Sequence, residues 1–156
     1  AAQLNNILDV FAKTKPTGET GLGEALHTIA EKTNQRALVI IMSDLFCDTD
    51  KLTDALQHLR YRKHDVAVFH LLDKQEVDFD FERPHRFIDM EDQTSVVAEP
   101  ALIADDYRNA MQHFLNEVKT ACHNVRADYH LITTNQSYEK IIYDFLSMRL
   151  PKKGRK

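Results

Sequence analysis

The sequence predicts an α/β fold, a three-layer sandwich with a mainly parallel sheet. Three observations carry this expectation. Leu38 to Met42 and Val66 to Leu72 are short apolar runs of the kind that form strands buried on both faces. Each run is closed by an aspartate, Asp44 (after Ser43) and Asp73. Segments with helical apolar spacing lie between and around them, so helix and strand alternate along the chain.

Taken in order, Leu4, Ile7, Leu8 and Phe11 form an i, i+3, i+4, i+7 stripe, an amphipathic helix over 3–13 that Pro16 and Gly18 end. The glycine-rich piece Thr17 to Gly23 opens a second helix, striped by Leu22, Leu26, Ile29 and Ala30. A strand at 37–43 follows. A helix over about 50–63 carries Leu52, Ala55, Leu56 and Leu59 on one face, with Asp48 or Asp50 as its cap. The strand at 66–72 then completes a βαβ unit. Residues 74–99 break the rhythm: Phe79 and Phe81 alternate with acids and read as a buried clasp, and Arg86–Asp89 and Ser95–Ala98 read as a hairpin around Glu91-Asp92-Gln93-Thr94. Pro100 suits the first turn of a long helix to about 123, striped by Ile103, Tyr107, Met111, Phe114, Val118 and Cys122. Asp128 to Thr133 is a third strand, and Ile141, Ile142, Phe145 and Leu146 mark a last helix before Pro151.

The 156 residues suit one domain, placed at 1–150 with the hairpin inserted at about 74–99. The formal charge is -4, and four basic groups crowd the tail at 151–156. The remainder carries 16 basic against 24 acidic side chains, a poor match to a phosphate backbone, so no nucleic-acid partner is expected. The tail reads as a solvated, disordered end. No apolar run approaches the ~20 residues of a membrane span. Cys47 and Cys122 lie far apart without metal-ligand spacing and read as reduced thiols of a cytoplasmic protein.

Gly18, Gly21 and Gly23 do not form a dinucleotide loop, because a polar Lys13-Thr14-Lys15-Pro16 turn precedes them rather than a buried strand. The eight histidines form no metalloprotease-type helical pair, and Ser43 lies in no nucleophile-elbow pattern. Thr20 and Asp44 remain. One precedes a helix and the other ends a strand, which brings both to the carboxyl rim of the sheet, where open α/β sheets bind ligands. A hydroxyl and a carboxylate there can serve a hard divalent cation, although two oxygens fall well short of the shell Mg²⁺ requires. The plainer readings stay open: Thr20 as a helix N-cap, and Asp44 as a turn residue bonding a nearby N–H.

Gly18 to Leu26 resembles the threonine loop of a von Willebrand factor A-type domain, and Ile41-Met42-Ser43-Asp44 resembles its aspartate loop. In that fold a metal-ion-dependent adhesion site takes ligands from these loops and from an Asp-x-Ser-x-Ser motif, which this sequence lacks. A wider resemblance runs through Leu71-Leu72-Asp73, Glu76, Phe79, Phe81, Arg86 to Glu91, Glu99-Pro100, Tyr107, Ala127-Asp128-Tyr129, Thr133-Thr134, Phe145-Leu146 and Arg149. It is similar to the bacterial domain of unknown function 58 family, with Lys74 and Glu99 departing from its usual Pro and Asp.

The resemblance implies the carboxyl-terminal part of a longer protein, with the first A-domain strand and the Asp-x-Ser-x-Ser loop upstream. It therefore implies a fold incomplete on its N-terminal side, with 37–43 as an unprotected edge through which a homodimer could form. It implies metal ligation by Thr20 and Asp44, with Mg²⁺ or Mn²⁺ in the full-length protein and no cation held by this chain alone. The implied function is a non-enzymatic protein-binding module, partnering a MoxR-type AAA+ ATPase. The alternative is a metal-dependent hydrolase or phosphoryl-transfer enzyme using Asp44 and Asp48 at the strand ends.

Overall fold

The computed structural model describes residues 2–15, 21–89 and 94–150. Its elements are α1 (Ala2–Lys13), α2 (Leu22–Lys32), β1 (Leu38–Ser43), α3 (Thr49–Tyr61), β2 (Asp65–Leu72), α4 (Lys74–Asp78), β3 (His85–Ile88), β4 (Ser95–Ala98), α5 (Pro100–Asn124), β5 (Asp128–Thr133) and α6 (Tyr138–Arg149). Of the expected hairpin turn Glu91-Asp92-Gln93-Thr94 the first three residues lie outside the described residues, as do those of the expected tail at 151–156.

The sheet is parallel, in the order β1-β2-β5. Its centre is β2, the most buried of the three strands, which pairs Ser43 with His70 on one side and Val68 with Tyr129 on the other. Alternation sends Val66 and Val68 to one face. There they meet Ile41 of β1 and a cluster from α2 (Leu26, Ala30), α3 (Leu52, Leu56) and α5 (Val118, Cys122). Ala67 and Phe69 face the opposite way, against Ile132 of β5 and Phe145 of α6. Helices on both faces of a parallel sheet make the expected three-layer α/β arrangement.

The expectation that β1 is buried on both faces is corrected. Ile41 is buried, but Leu38, Ile40 and Met42 on the other face are 45%, 41% and 63% exposed. The cause is position. Among the described residues β1 pairs only with β2, and the apolar cluster under α6 draws on β2 and β5 alone. The α1 stripe Leu4, Ile7, Leu8 and Phe11 is also exposed.

Helix α4 has too few residues to show a period. Asp73 and Glu76 close a capping box around it, and Phe79 ends it in the left-handed region at φ 48°. Phe79 is buried, stacked on Tyr107 at 4.2 Å and edge-on to Phe81 at 5.2 Å. This is the expected aromatic clasp, and it pins the approach to the β3–β4 hairpin onto α5.

Candidate functional site at the carboxyl rim of the sheet

Strand β1 delivers Asp44 to the rim, where the carboxylate is exposed. Its Oδ1 accepts from the Phe46 N–H at 3.3 Å, and Ser43 Oγ accepts from the Leu45 N–H at 3.0 Å. The turn role expected of Asp44 is therefore present. Only Oδ1 is engaged; among the described residues nothing bonds Oδ2. Leu45 stands at φ 58°, a region that costs a branched residue about 1–2 kcal/mol. Its side chain is 1% exposed in the main core cluster, and that burial offsets the strain.

Beneath the loop lies His70, wholly buried. Its Nε2 is 2.7 Å from the Asp44 main-chain oxygen and its Nδ1 is 2.9 Å from the Tyr129 hydroxyl. A carbonyl only accepts, so Nε2 carries the proton, and Nδ1 accepts from Tyr129. Burial pushes the His70 pKa down and the Tyr129 pKa up to about 12. The rim thus rests on a neutral imidazole with both nitrogens satisfied. Phe114 closes the site from α5, edge-on to His70 at 5.5 Å and stacked on Phe46 at 5.2 Å.

The ends of β2 and β5 are tied separately. Thr134 Oγ1 donates to Asp73 Oδ2 at 2.7 Å, and the Gln75 N–H donates to Oδ1 at 2.8 Å. These bonds, that from Thr134 foremost, hold the Asp73 carboxyl below its ordinary range. Here a hydroxyl meets a carboxylate, Thr134 against Asp73, with both carboxylate oxygens engaged.

Thr20, the other expected cation ligand, lies outside the described residues. Helix α2 opens at Leu22 with Gly21 at its N-cap. A Cβ built on Gly23 would stand 3.6 Å from Lys51 Cβ, so the first turns of α2 and α3 lie side by side. Asp48 caps α3, accepting from the N–H groups of Asp50 and Lys51 at 2.9 and 3.2 Å. The start of α2 and the Asp44 loop therefore share one rim, where Asp48 Oδ1 caps α3.

Among the described residues no group of three or more His, Cys, Asp or Glu side chains could hold a metal ion. The Cys47 thiol is pushed up by burial and by the charges of Asp48 and Asp44, and Cys122 is pushed up to about 11 by burial, so neither is an activated nucleophile. Sequence reasoning missed His70 as the support of the Asp44 loop. The available signal was two apolar runs with polar ends, which in register set His70 opposite Ser43.

A family model described as "Protein of unknown function DUF58" matches residues 1–117. No curated protein and no solved structure matches the chain.

Proposed function

We propose for this chain, which belongs to the DUF58 family of proteins of unknown function, a non-enzymatic protein-binding role centred on the carboxyl rim of its sheet. Asp44, with Thr20 two positions before α2 in the sequence, contributes oxygen ligands to a divalent cation, Mg²⁺ or Mn²⁺. The remaining ligands come from the upstream part of a longer protein with a von Willebrand factor A-like fold. The cation keeps a position open for a carboxylate of the partner, a MoxR-type AAA+ ATPase. The observation that carries this reading is the held but incompletely engaged Asp44. Its loop is anchored by Leu45 and by the bond to His70, yet the side chain is exposed and Oδ2 has no partner among the described residues. Preorganised oxygen ligands are what a hard cation needs.

The test is binding of the full-length protein to a MoxR-type ATPase from the same genome, by biolayer interferometry, with Mg²⁺ and with a chelator. Binding that needs the cation and is lost in Asp44→Asn supports the reading. Binding indifferent to both sinks it.

The alternative, a metal-dependent hydrolase using Asp44 and Asp48, has less support. Asp48 Oδ1 already caps α3, and among the described residues no activated nucleophile adjoins Asp44. Turnover of generic phosphatase or esterase substrates that Asp44→Asn abolishes would revive it.

A further inference from the structure

Away from the rim, His27 of α2 and His58 of α3 face each other with their Nδ1 atoms 2.9 Å apart and their ring centroids 5.1 Å apart. Both rings are half-buried. The helices that carry them are fixed on either side of the pair. Gly23 packs against Lys51 toward one end, and Arg62 Nε donates to the Ala30 carbonyl at 3.1 Å toward the other. The two nitrogens are thus brought together by the packing of their helices and not by a flexible loop.

We infer that His27 and His58 form a binding site for a divalent transition-metal ion of the nickel(II) or copper(II) type. Imidazole nitrogen suits these ions. At a metal–nitrogen bond of about 2.1 Å, two ligands 2.9 Å apart subtend about 90° at the metal. That is the cis angle of octahedral and tetragonal complexes, reached when each ring, now nearly head-on to the other, turns about its side-chain bonds to aim its Nδ1 lone pair at the shared ion. A tetrahedral zinc centre would need the two nitrogens roughly 3.4 Å apart. Two protein ligands leave the other positions to water or to a small chelator, so the affinity comes from the fixed helix spacing.

The proton balance is simple. Without metal, one ring donates from Nδ1 and the other accepts there, so the neutral pair holds one Nδ1–H tautomer and one Nε2–H tautomer. Ligation needs a lone pair on both Nδ1 atoms. The donating ring moves its proton to its own Nε2 through solvent, the Nδ1···Nδ1 hydrogen bond is exchanged for two metal–nitrogen bonds, and no net proton is released. The site is independent of the reading of Asp44.

The probe is Ni²⁺ carried by nitrilotriacetate, which fills four positions and leaves two cis. Added below one equivalent to the ¹⁵N-labelled chain, it should broaden the ring signals of His27 and His58 first. The exposed His85 and His113 should persist. Calorimetry should give one ion per chain, with His27→Gln and His58→Gln each weakening binding at least tenfold and His113→Gln leaving it unchanged. Earlier broadening of His85 or His113 overturns the proposal, as does unchanged affinity in the first two variants or the lack of saturable binding at millimolar Ni²⁺. The wild-type broadening pattern decides the matter even where a variant fails to fold.

Discussion

The imidazole of His70 donates from Nε2 to the main-chain carbonyl of Asp44 at 2.7 Å, joining the middle strand of the sheet to the loop at its edge. Tyr129 completes the arrangement from the third strand at 2.9 Å. Replacing His70 by Phe strands a carbonyl and a hydroxyl, and a buried group without its partner costs about 1–3 kcal/mol. His70→Phe should therefore lower stability by about 2–4 kcal/mol in urea unfolding, and Tyr129→Phe by about 1–2 kcal/mol. A His70→Phe protein as stable as the parent would show that the pair holds nothing.

The same imidazole sets a pH dependence. Its folded pKa lies below the ordinary histidine value of about 6.5 because burial disfavours the cation. The unfolded chain therefore takes up the proton first as pH falls. The stability His70 contributes is fully present above about pH 6.5 and is lost progressively below it, toward the folded pKa. In chelator-containing buffer, the slope of stability against pH below 6.5 should be shallower in His70→Phe than in the parent. Parallel slopes would assign the acid sensitivity to other groups.

Leu45 carries opposed effects that two substitutions separate. Its side chain is buried, and shortening a buried Leu to Ala costs about 2–5 kcal/mol. Its φ of 58° favours glycine by about 1–2 kcal/mol over any residue with a Cβ. Leu45→Gly should therefore match or exceed Leu45→Ala in stability, the reverse of the order expected in a helix or strand. Thermal unfolding of the two variants checks it. Leu45→Ala as the clearly more stable variant would mean that the left-handed turn is not retained.

Leu38, Ile40 and Met42 leave an apolar face beside a strand edge that pairs with nothing else among the described residues. Unprotected edges of this kind invite pairing with another chain, and inward or edge lysines suppress it. The chain studied alone should self-associate with rising concentration in sedimentation velocity. Ile40→Lys should return it toward monomer. A monomer at all concentrations would indicate that the edge is shielded.

The fold was largely legible because its elements follow from local patterns. The stripe Leu52, Ala55, Leu56 and Leu59 gave α3, Pro100 opened α5, and the apolar run to Leu72 gave the middle strand. Exposure of Met42 and Ile40 was not legible in the run itself, because an apolar residue at an edge reads the same as one in mid-sheet. At the rim, Asp44 was legible as a strand-end carboxylate. The support from His70 was hidden because it depends on the register between β1 and β2. The Asp73–Thr134 bond was hidden for a similar reason, since its partners are 61 residues apart.

The proposed role of Asp44 is to supply an oxygen ligand to a cation whose remaining ligands lie outside this chain. Calorimetric titration of Mn²⁺ into this chain, the full-length protein and its Asp44→Asn variant tests it most directly. The account predicts saturable binding by the full-length protein alone, with weak or no binding by this chain and loss in the variant. Strong binding by this chain, or full-length binding that survives Asp44→Asn, would contradict it.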